Sequence, residues 1–533
     1  MHHSTFNKIT KIWSGPKVLP IFNPDQNLGE LIVKVLEQTP DAITQISADT
    51  NVSLTCGEMR NRILKIAFHL NDLELKQGDV VGVITENTEN IAPVVFACFL
   101  LGLPVNPLAS VMIESDIAQI YSKTKPKLIF CDEKNLKTVQ NAVKIMKSEA
   151  KIYTVMEKVD GYESVTKVLE KIVNFEDFIY PEVDPNSIIF IPCTSGSTGL
   201  AKGIGKTHKE IIFRFVPSSL YNPNGPNVLF QSTAIFWFSG IYFLIYGALY
   251  KCLRITTAQS VTPELIVEII KKYKVTNVST APYLIVNLLQ LTNLKPFETI
   301  KMWMIPGATA TQNLCERLKK YVPNGVVSSF YGSTECDIIS SNSREKKFGS
   351  CGEIFYNNEV KIINDNENSI DCNQKGEICV KNIVKFTGYY NDIEKTNEVY
   401  DGEWFKTGDI GYIDDEGLLY VIDRKKDILK YNNMQVAPLE LEAIINEIDG
   451  VINCCVVGVS EKNTGNDIIH AFVITNESKN LTSTGIEDYI NSKVIDVKKI
   501  RGGVHFIKNI PLTASGKIDR KMLRKLASEK FTK

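Results

Sequence analysis

The stretch "SIIFIPCTSGSTGLAKG", residues 187–203, joins a strand-like apolar run to a loop of small and hydroxylic residues. Gly196 and Gly199 allow tight turns that bring backbone N–H groups close to an anion, and Lys202 adds a positive charge. Because the loop follows a strand, it lies where open α/β sheets bind ligands. It matches neither the GK[ST] phosphate loop nor GxGxxG. The stretch predicts an anion-binding loop; a flexible surface loop, the alternative, would leave Lys202 without a role.

Outward from this loop, strand-like runs alternate with segments of helical period over the first 350 residues. "DVVGVITE" (79–86) and "PKLIFCDE" (126–133) are strand-like, whereas "TPELIVEIIKKYK" (262–274) has a helical period. This alternation is typical of parallel sheets with helices on both faces. We predict an α/β fold: a large N-terminal domain, residues 1–423, with doubly wound parallel sheets and a β-rich subdomain, and a small mobile α+β C-terminal domain, residues 424–533.

Composition excludes several classes of protein. With 44% hydrophobic and 23% charged residues, the chain is expected to fold around a large core. Lys plus Arg is 60 and Asp plus Glu is 61, so the chain lacks the basic surplus of a nucleic-acid binder and we predict no nucleic-acid partner. Its twelve cysteines show no CxxC or Cys/His spacing, which indicates reduced core residues.

Targeting signals and membrane spans are also not predicted. The N-terminus lacks the apolar region of a signal peptide and the C-terminus "SEKFTK" is not the peroxisomal SKL tripeptide, so a cytoplasmic location is expected. Residues 232–250, "STAIFWFSGIYFLIYGALY", are uncharged over a length that would span a bilayer. Their polar and glycine interruptions favour a buried strand, turn and helix beside a pocket, and we predict no transmembrane segment.

Three further clusters carry candidate chemistry. "SSFYGSTECD" (328–337) ends a strand with an aromatic residue, hydroxyls and a carboxylate, which suits base stacking and a magnesium ion near phosphates. Asp409, in a Thr-Gly-Asp turn, can accept hydrogen bonds from a ribose diol, although a turn-capping role is the alternative. Lys517, in "PLTASGKIDRKML", precedes a basic helix; a solvated lysine is the alternative.

Together and in this order, the four clusters resemble the adenylate-forming superfamily. It includes acyl-CoA synthetases, 4-coumarate-CoA ligases, firefly luciferase-like enzymes and the adenylation domains of peptide synthetases. The resemblance covers nearly the whole chain. Within the superfamily, the overall sequence is similar to the insect luciferase-like branch. It implies ATP and Mg²⁺, with CoA as co-substrate or O₂ in a luciferase, and a C-terminal domain that rotates between two half-reactions.

The resemblance also implies roles for individual residues. Lys202 and Lys517 match lysines that act in adenylation, and Lys430 matches a lysine used in the second step. Glu335 matches the magnesium position. Implied nucleotide contacts are Thr194, Ser195, Gly196, Ser197, Thr198, Gly199, Gly307, Ala308, Tyr331, Gly332, Ser333, Thr334, Asp409 and Arg424, and the implied acid pocket consists of Arg214, Trp237, Phe238, Ser239 and Gly240. The loop departs from the family at Ala201, where a proline is usual.

The implied reaction is attack of a carboxylate on the α-phosphate of ATP with release of pyrophosphate. The nucleophile is already an anion, so no general base is needed, and we assign His208 a structural role, with a site role as the alternative. A non-catalytic carrier should have lost Lys202, Glu335, Asp409 or Lys517, and all four remain. A peptide-synthetase domain is disfavoured because residue 235 is Ile rather than an Asp that would hold an α-amino group.

The second step has two alternatives. We predict transfer of a medium- or long-chain acyl group to CoA, because Trp237 and Phe238 stand where beetle luciferases carry two histidines. The alternative is a non-beetle luciferase that adenylates a luciferin and oxidises it with O₂ to emit light, which is favoured by Arg214, matching an arginine beside the luciferin. The expected partners are a small carboxylic acid, ATP and CoA, and a monomer or weak dimer is expected.

Overall fold

The computed structural model describes residues 4–194, 202–216, 225–306, 310–343, 345, 347–432, 434–461, 466–476, 479–512 and 518–530. Up to residue 194 the strands are β1 (Thr5–Asn7), β2 (Ile12–Ser14), β3 (Ile43–Ser47), β4 (Ser53–Thr55), β5 (Val81–Ile84), β6 (Val105–Pro107), β7 (Leu128–Cys131), β8 (Lys151–Thr154), β9 (Glu163–Ser164), β10 (Ile188–Phe190) and β11 (Cys193–Thr194). The helices are α1 (Leu28–Glu37), α2 (Cys56–Asp72), α3 (Ile91–Leu100), α4 (Glu114–Thr124), α5 (Leu136–Met146) and α6 (Val165–Glu170).

The middle of the chain, residues 202–354, contributes a second set of elements. Its strands are β12 (Lys202–Gly203), β13 (Lys206–Thr207), β14 (Val228–Gln231), β15 (Leu253–Thr256), β16 (Asn277–Ser279), β17 (Met302–Pro306), β18 (Val326–Ser333), β19 (Asp337–Ser341) and β20 (Glu353–Ile354). Its helices are α7 (His208–Phe213), α8 (Phe238–Leu249), α9 (Pro263–Tyr273), α10 (Pro282–Leu288) and α11 (Gln312–Lys319).

The remaining elements are mostly strands. They are β21 (Asn358–Ile363), β22 (Gly376–Asn382), β23 (Tyr400–Asp401), β24 (Trp404–Ile413), β25 (Leu419–Arg424), β26 (Leu429–Tyr431), β27 (Met434–Val436), β28 (Val451–Ser460), β29 (Asp467–Thr475) and β30 (Val504–Phe506). The helices among them are α12 (Ile393–Glu398), α13 (Pro438–Ile445), α14 (Ser483–Lys493) and α15 (Arg520–Lys530).

Two largely parallel sheets form the N-terminal domain. The first has the strand order β20-β19-β18-β17-β16-β14-β15-β3-β4, and the six strands from β18 to β3 are parallel. The second has the order β13-β10-β6-β5-β7-β8-β9 and is parallel except at β13. A continuous apolar core that includes α1, α2, α3 and α8 joins the two sheets. The predicted doubly wound parallel architecture is confirmed.

Local sequence signals explain several elements. Helix α9 matches the predicted segment: the Thr262 side chain accepts from the Leu265 N–H, and Pro263 occupies the first turn, where its missing N–H costs nothing. All ten residues of α3 are buried, because this helix packs within the apolar core shared by both sheets. Within residues 232–250 the structure forms α8 but no strand, since β14 ends at Gln231. The strand expected inside that segment was therefore wrong.

The β-rich subdomain is an antiparallel sheet, β1-β2-β21-β22-β24-β23, with β25 paired to β24. The C-terminal domain is built on β28, β29 and β30, with α13 and α14 packed against one core cluster and α15 against another. The predicted domain boundary after Asp423 falls one residue before the end of β25 and stays a prediction. All twelve cysteines are free, and ten of them are buried. Among the helices of the described ranges, none has the length and apolarity to cross a membrane.

Candidate functional site

A cavity of about 1920 Å³ lies where the parallel sheets, the β-rich subdomain and the C-terminal domain meet. Ser232, just after β14, and Phe330, in β18, line it from the carboxyl ends of parallel strands, where ligands bind in α/β sheets. Asp409 lines it from the β-rich subdomain, and Arg520 from the C-terminal domain. We refer to the end near Asp409, where nucleotide contacts are predicted, as the nucleotide half and to the end near α8, where acid contacts are predicted, as the acid half.

The glycine-rich loop is anchored as the connection of a short hairpin. Residue 194 of β11 pairs with Lys202 of β12, so the backbone on both sides of the loop is fixed by antiparallel pairing. The Lys202 side chain lines the cavity, and its contact with phosphates stays a prediction. Several predicted residues lie outside the described part of the chain: Ser195, Gly196, Ser197, Thr198, Gly199, Gly307, Ala308 and Lys517.

Lys202 and Glu335 are connected in the cavity by Tyr389, a residue that the sequence analysis missed. The Lys202 Nζ lies 4.4 Å from the centroid of the Tyr389 ring, and the Tyr389 hydroxyl donates to Glu335 Oε1 over 3.1 Å. Burial, and then the charge of Glu335, raise the pKa of Tyr389, so the phenol stays a proton donor. The aromatic residue in "TGYYND" was the available signal, but nothing in it indicates a contact with Glu335.

Glu335 is suited to the magnesium role predicted for it. Its Oε1 is occupied by Tyr389, and the described side chains donate no hydrogen bond to Oε2, which leaves that oxygen for an ion in the cavity. Mg²⁺ is usually held by one or two carboxylates together with substrate phosphates, so a single carboxylate fits. Across the described ranges, no three His, Cys, Asp or Glu side chains form a metal cluster of their own.

Tyr331, Asp409 and Arg424 form a second contact group in the nucleotide half. The Tyr331 hydroxyl donates to Asp409 Oδ2 over 2.8 Å, and Arg424 Nε lies 2.9 Å from Asp409 Oδ1. Asp409 was expected in a turn but lies within strand β24, after Gly408 with φ of +71°. Its N–H donates to Thr407 Oγ1, so a local kink, rather than a chain reversal, presents the carboxylate. Gly332, Ser333 and Thr334 line the cavity nearby.

The acid half contains a buried ion triplet of Lys206, Asp337 and Arg214. Lys206 Nζ lies 2.9 Å from Asp337 Oδ1, and Arg214 Nε lies 2.8 Å from Asp337 Oδ2. Burial lowers the pKa of Lys206, but the charges of Asp337 and Glu210 outweigh this effect and the net shift is upward. Arg214 was predicted, whereas Lys206 and Asp337 were missed. The signal was a charged residue within each of two apolar segments, "GIGKT" and "ECDII".

An aromatic wall completes the acid half. Trp237, Phe238 and Ser239, which the sequence analysis assigned to the acid pocket, line the cavity together with Tyr242 and Phe243 of α8. The Phe238 ring also lies 5.2 Å from Lys206 Nζ and covers the triplet. Gly240 lies behind this wall rather than on it: a Cβ there would stand 2.0 Å from the Ala234 carbonyl oxygen, so only glycine lets α8 begin this close to the preceding loop.

Lys430 does not line the cavity in this conformation. It is exposed on β26, where its N–H donates to Asp467 Oδ2. In the hairpin that follows, Asn432 has φ of 48°, a left-handed conformation that asparagine tolerates. His208 is fully buried, and its Nδ1 accepts the Leu28 N–H at 2.9 Å. Burial lowers the pKa of His208 to about 3, which agrees with the structural role assigned to it.

The chain is similar to several characterised groups of enzymes. It is 28% identical to the probable 4-coumarate–CoA ligase 1 of Dictyostelium discoideum, over 95% of this chain and 96% of the relative. It is 28% identical to the luciferin 4-monooxygenase of Nipponoluciola cruciata, over 92% of each. Its structure is similar to the luciferase-like enzyme from the nonluminescent Zophobas morio mealworm, with 27% identity and a TM-score of 0.71, over 78% of this chain and 98% of that one.

An anthranilate CoA ligase in complex with anthranoyl-AMP shares the fold, with a TM-score of 0.85 and 20% identity over 95% of this chain and 98% of that one. The family model of AMP-binding enzymes matches residues 33–390, which contain the hairpin of Lys202, the turn of Glu335 and both parallel sheets. The model of the C-terminal domain of AMP-binding enzymes matches residues 440–517. Because these two matches span both parts of the fold around the cavity, the chain belongs to the AMP-binding, adenylate-forming enzyme family.

Proposed function

We propose that the protein activates a hydrophobic carboxylic acid with ATP, releases pyrophosphate and transfers the acyl group to the thiol of CoA. The observation that carries this proposal is the single cavity, whose one half presents Lys202, Glu335 and Asp409 and whose other half is an aromatic wall. A polar end for the nucleotide and an apolar end for the acid therefore lie in the same cavity. That arrangement suits a reaction between the two substrates.

In the first half-reaction, the acid carboxylate attacks the α-phosphorus of ATP as the bond to pyrophosphate breaks. Negative charge grows on the phosphoryl oxygens, and we propose that Lys202, which lines the cavity, and Lys517 stabilise it. Glu335 would hold Mg²⁺, which neutralises phosphate charge when bound. Asp409 and Arg424 would bind the ribose, and Tyr331 would pack against the adenine.

In the second half-reaction, the CoA thiol attacks the acyl carbonyl and AMP leaves. Lys430 is proposed to act in this step. Because it is exposed on β26 and does not line the cavity, we also propose that the C-terminal domain rotates to bring it there. For the acid, we propose a medium- or long-chain acyl group. Its support is the apolar surface of Trp237, Phe238 and Phe243 along the acid half.

A second candidate is a luciferase that adenylates a luciferin and oxidises the adenylate with O₂. Two observations favour it: Arg214 lines the cavity beside the aromatic wall, and flat aromatic faces suit a conjugated acid. The relatives include luciferin 4-monooxygenases as well as ligases. Because luminescence depends on the chemistry of the organic substrate, the two candidates share the residues of the nucleotide half.

One assay distinguishes the candidates. The protein is incubated with Mg-ATP and a panel of fatty acids, aromatic acids and luciferins, with and without CoA, and pyrophosphate, acyl-CoA and photons are measured together. Acyl-CoA formed in the dark is the expected result, and the panel then ranks the acids. Light from a luciferin without CoA would establish the second candidate, and absence of pyrophosphate with every acid would contradict both.

A further inference from the structure

We infer that Tyr389 is a positioning residue that separates the ammonium of Lys202 from the carboxylate of Glu335 and holds each for its own ligand. Lys202 would then face phosphate, and Glu335 would keep one oxygen for Mg²⁺. This inference rests on the proposed nucleotide role of the cavity but not on the identity of the acid. It adds to the site a residue that none of the four sequence motifs contains.

The geometry places the phenol between the two charges. Its hydroxyl donates to Glu335 Oε1 over 3.1 Å, and its ring lies 4.4 Å from Lys202 Nζ. Lys202 and Glu335 line the same cavity, yet they are not among the ion pairs within 4.0 Å in the described ranges. Without the phenol, which both groups contact, the lysine and the glutamate would be free to pair directly, and this pairing would occupy the carboxylate and turn the ammonium away from phosphate.

Tyr389 is fixed by contacts that do not involve either partner. Its N–H donates to Thr396 Oγ1 over 2.9 Å, its backbone forms an antiparallel bridge to Ile204, and its ring meets Phe386 edge to face at 5.4 Å. Gly388, with φ of +129°, precedes it and lies against Thr396. The phenol is therefore held by the N-terminal domain before any ligand binds, which is what a positioning residue requires.

Glu335 is also held from its backbone side. Its carbonyl oxygen accepts from Lys206 Nζ over 3.3 Å, and Lys206 is in turn fixed by Asp337. The backbone of Glu335 is thus set by the buried triplet, and its side chain is set by Tyr389. With both ends fixed, Oε2 is directed by Tyr389 alone, so the phenol hydroxyl is the group whose loss should loosen the proposed magnesium site.

The test compares Tyr389→Phe, Tyr389→Leu and the matched control Tyr390→Phe. Tyr390 is the adjacent, half-buried phenol, and its N–H donates to the Gly203 carbonyl in the hairpin of Lys202. The primary readout is ATP binding by calorimetry at increasing Mg²⁺, because it does not require a known acid. Pyrophosphate release at the same Mg²⁺ concentrations, and the melting temperature of each variant, are measured alongside.

For Tyr389→Phe, we expect the Mg²⁺ concentration that half-saturates ATP binding to rise about tenfold, with ATP binding at saturating Mg²⁺ retained, because the ring still holds Lys202. For Tyr389→Leu, we expect the same rise and an additional loss of about tenfold in the rate of pyrophosphate release, because Lys202 can then pair with Glu335. Tyr390→Phe should match the wild type in Mg²⁺ dependence.

An unchanged Mg²⁺ dependence in Tyr389→Phe would overturn the inference, as would an equal change in Tyr390→Phe. If Tyr389→Leu does not fold, Tyr389→Phe alone decides the matter, since it removes one oxygen and keeps the ring. The wild-type protein could bind Mg-ATP while none of the tested acids causes pyrophosphate release. In that case the proposed acid activation fails, but the calorimetric result still tests Tyr389. The two failures are therefore distinguishable.

Discussion

At the nucleotide end of the cleft, Arg424 pairs with Asp409 while 52% of its side chain is exposed. At the acid end, Lys206 pairs with Asp337 with 2% of its side chain exposed. Solvent weakens a pair whose cation is half exposed, and that cation can exchange its partner for a ligand. A buried pair contributes little net stability, but removing one partner leaves an uncompensated charge inside the protein. In the nucleotide half, the ion pair can therefore open to bind a ligand. In the acid half, the buried ion pair keeps the side chains in one arrangement.

The two halves are joined by helix α7. It begins directly after Lys206 and Thr207 and ends at Phe213, one residue before Arg214. Its N-terminus has a capping box in which the Thr207 side chain accepts from the Glu210 N–H and Glu210 accepts from the Thr207 N–H. Glu210 also accepts from Thr387, two residues before Tyr389. One short helix therefore ties the triplet to the segment that positions the nucleotide half.

Asp337→Asn should give the largest effect on the fold. It leaves Lys206 and Arg214 buried without the carboxylate that both contact, so we expect the free energy of unfolding to fall by about 3–5 kcal/mol. Urea unfolding followed by tryptophan fluorescence measures this. The control is Glu403→Gln, whose carboxylate is 74% exposed and pairs with Lys381, and no measurable change is expected there. Equal losses in both variants would remove the contrast between buried and exposed pairs.

Lys202→Met should give the largest effect on catalysis with little effect on the fold. Lys202 lines the cavity and is proposed to stabilise developing phosphoryl charge, so we expect pyrophosphate release to slow about 10²–10³-fold. Lys209→Met is the matched control, because Lys209 lies on α7 and pairs with Asp25 at the surface. If Lys202→Met lowered the melting temperature as much as Asp337→Asn does, Lys202 would be a residue that stabilises the fold rather than one that acts in catalysis.

His208→Asn should reduce the stability that the protein loses at acidic pH. His208 is the first residue of α7, the helix that joins the two halves. The folded-state pKa of His208, about 3, lies below the ordinary value of 6.5, so the unfolded chain takes up a proton first and stability is lost as pH falls below 6.5. The loss is about 1.4 kcal/mol per pH unit. Asparagine keeps an acceptor for the Leu28 N–H without titrating. The unfolding midpoint should therefore change less between pH 7 and pH 5 in the variant than in the wild type. An equal change in the two proteins would contradict this account.

Asp409→Asn should give the smallest of these effects. We expect ATP to bind about tenfold more weakly, equivalent to about 1.4 kcal/mol, because a charge-assisted hydrogen bond to the ribose becomes a neutral one. Arg424 loses its partner but is half in solvent, so the melting temperature should change little. Calorimetry of ATP binding and a thermal melt measure both quantities. A destabilisation as large as that of Asp337→Asn would show that the nucleotide half is also built on an obligatory ion pair.

Much of the fold was predictable because it depends on local patterns. The apolar run in residues 126–133 contains β7, and the helical period of residues 262–274 gives α9 with its Thr262 cap. The segment 232–250 was harder to interpret, because an uncharged run does not show where a strand ends and a helix begins. The kink at Gly408 was read as a turn, since a glycine within a long strand gives the same local signal as a chain reversal.

By itself, the sequence determined the alternation of strands and helices and the motif residues of the nucleotide half, such as Tyr331, Glu335 and Asp409, because their types and spacing are local properties. Only the tertiary structure decided which of them touch. Lys206 meets Asp337 across 131 residues and Tyr389 meets Glu335 across 54, and no local pattern encodes either contact. A buried charge is tolerated only where the fold supplies its partner, so the shape of the acid half had to come from the assembled chain.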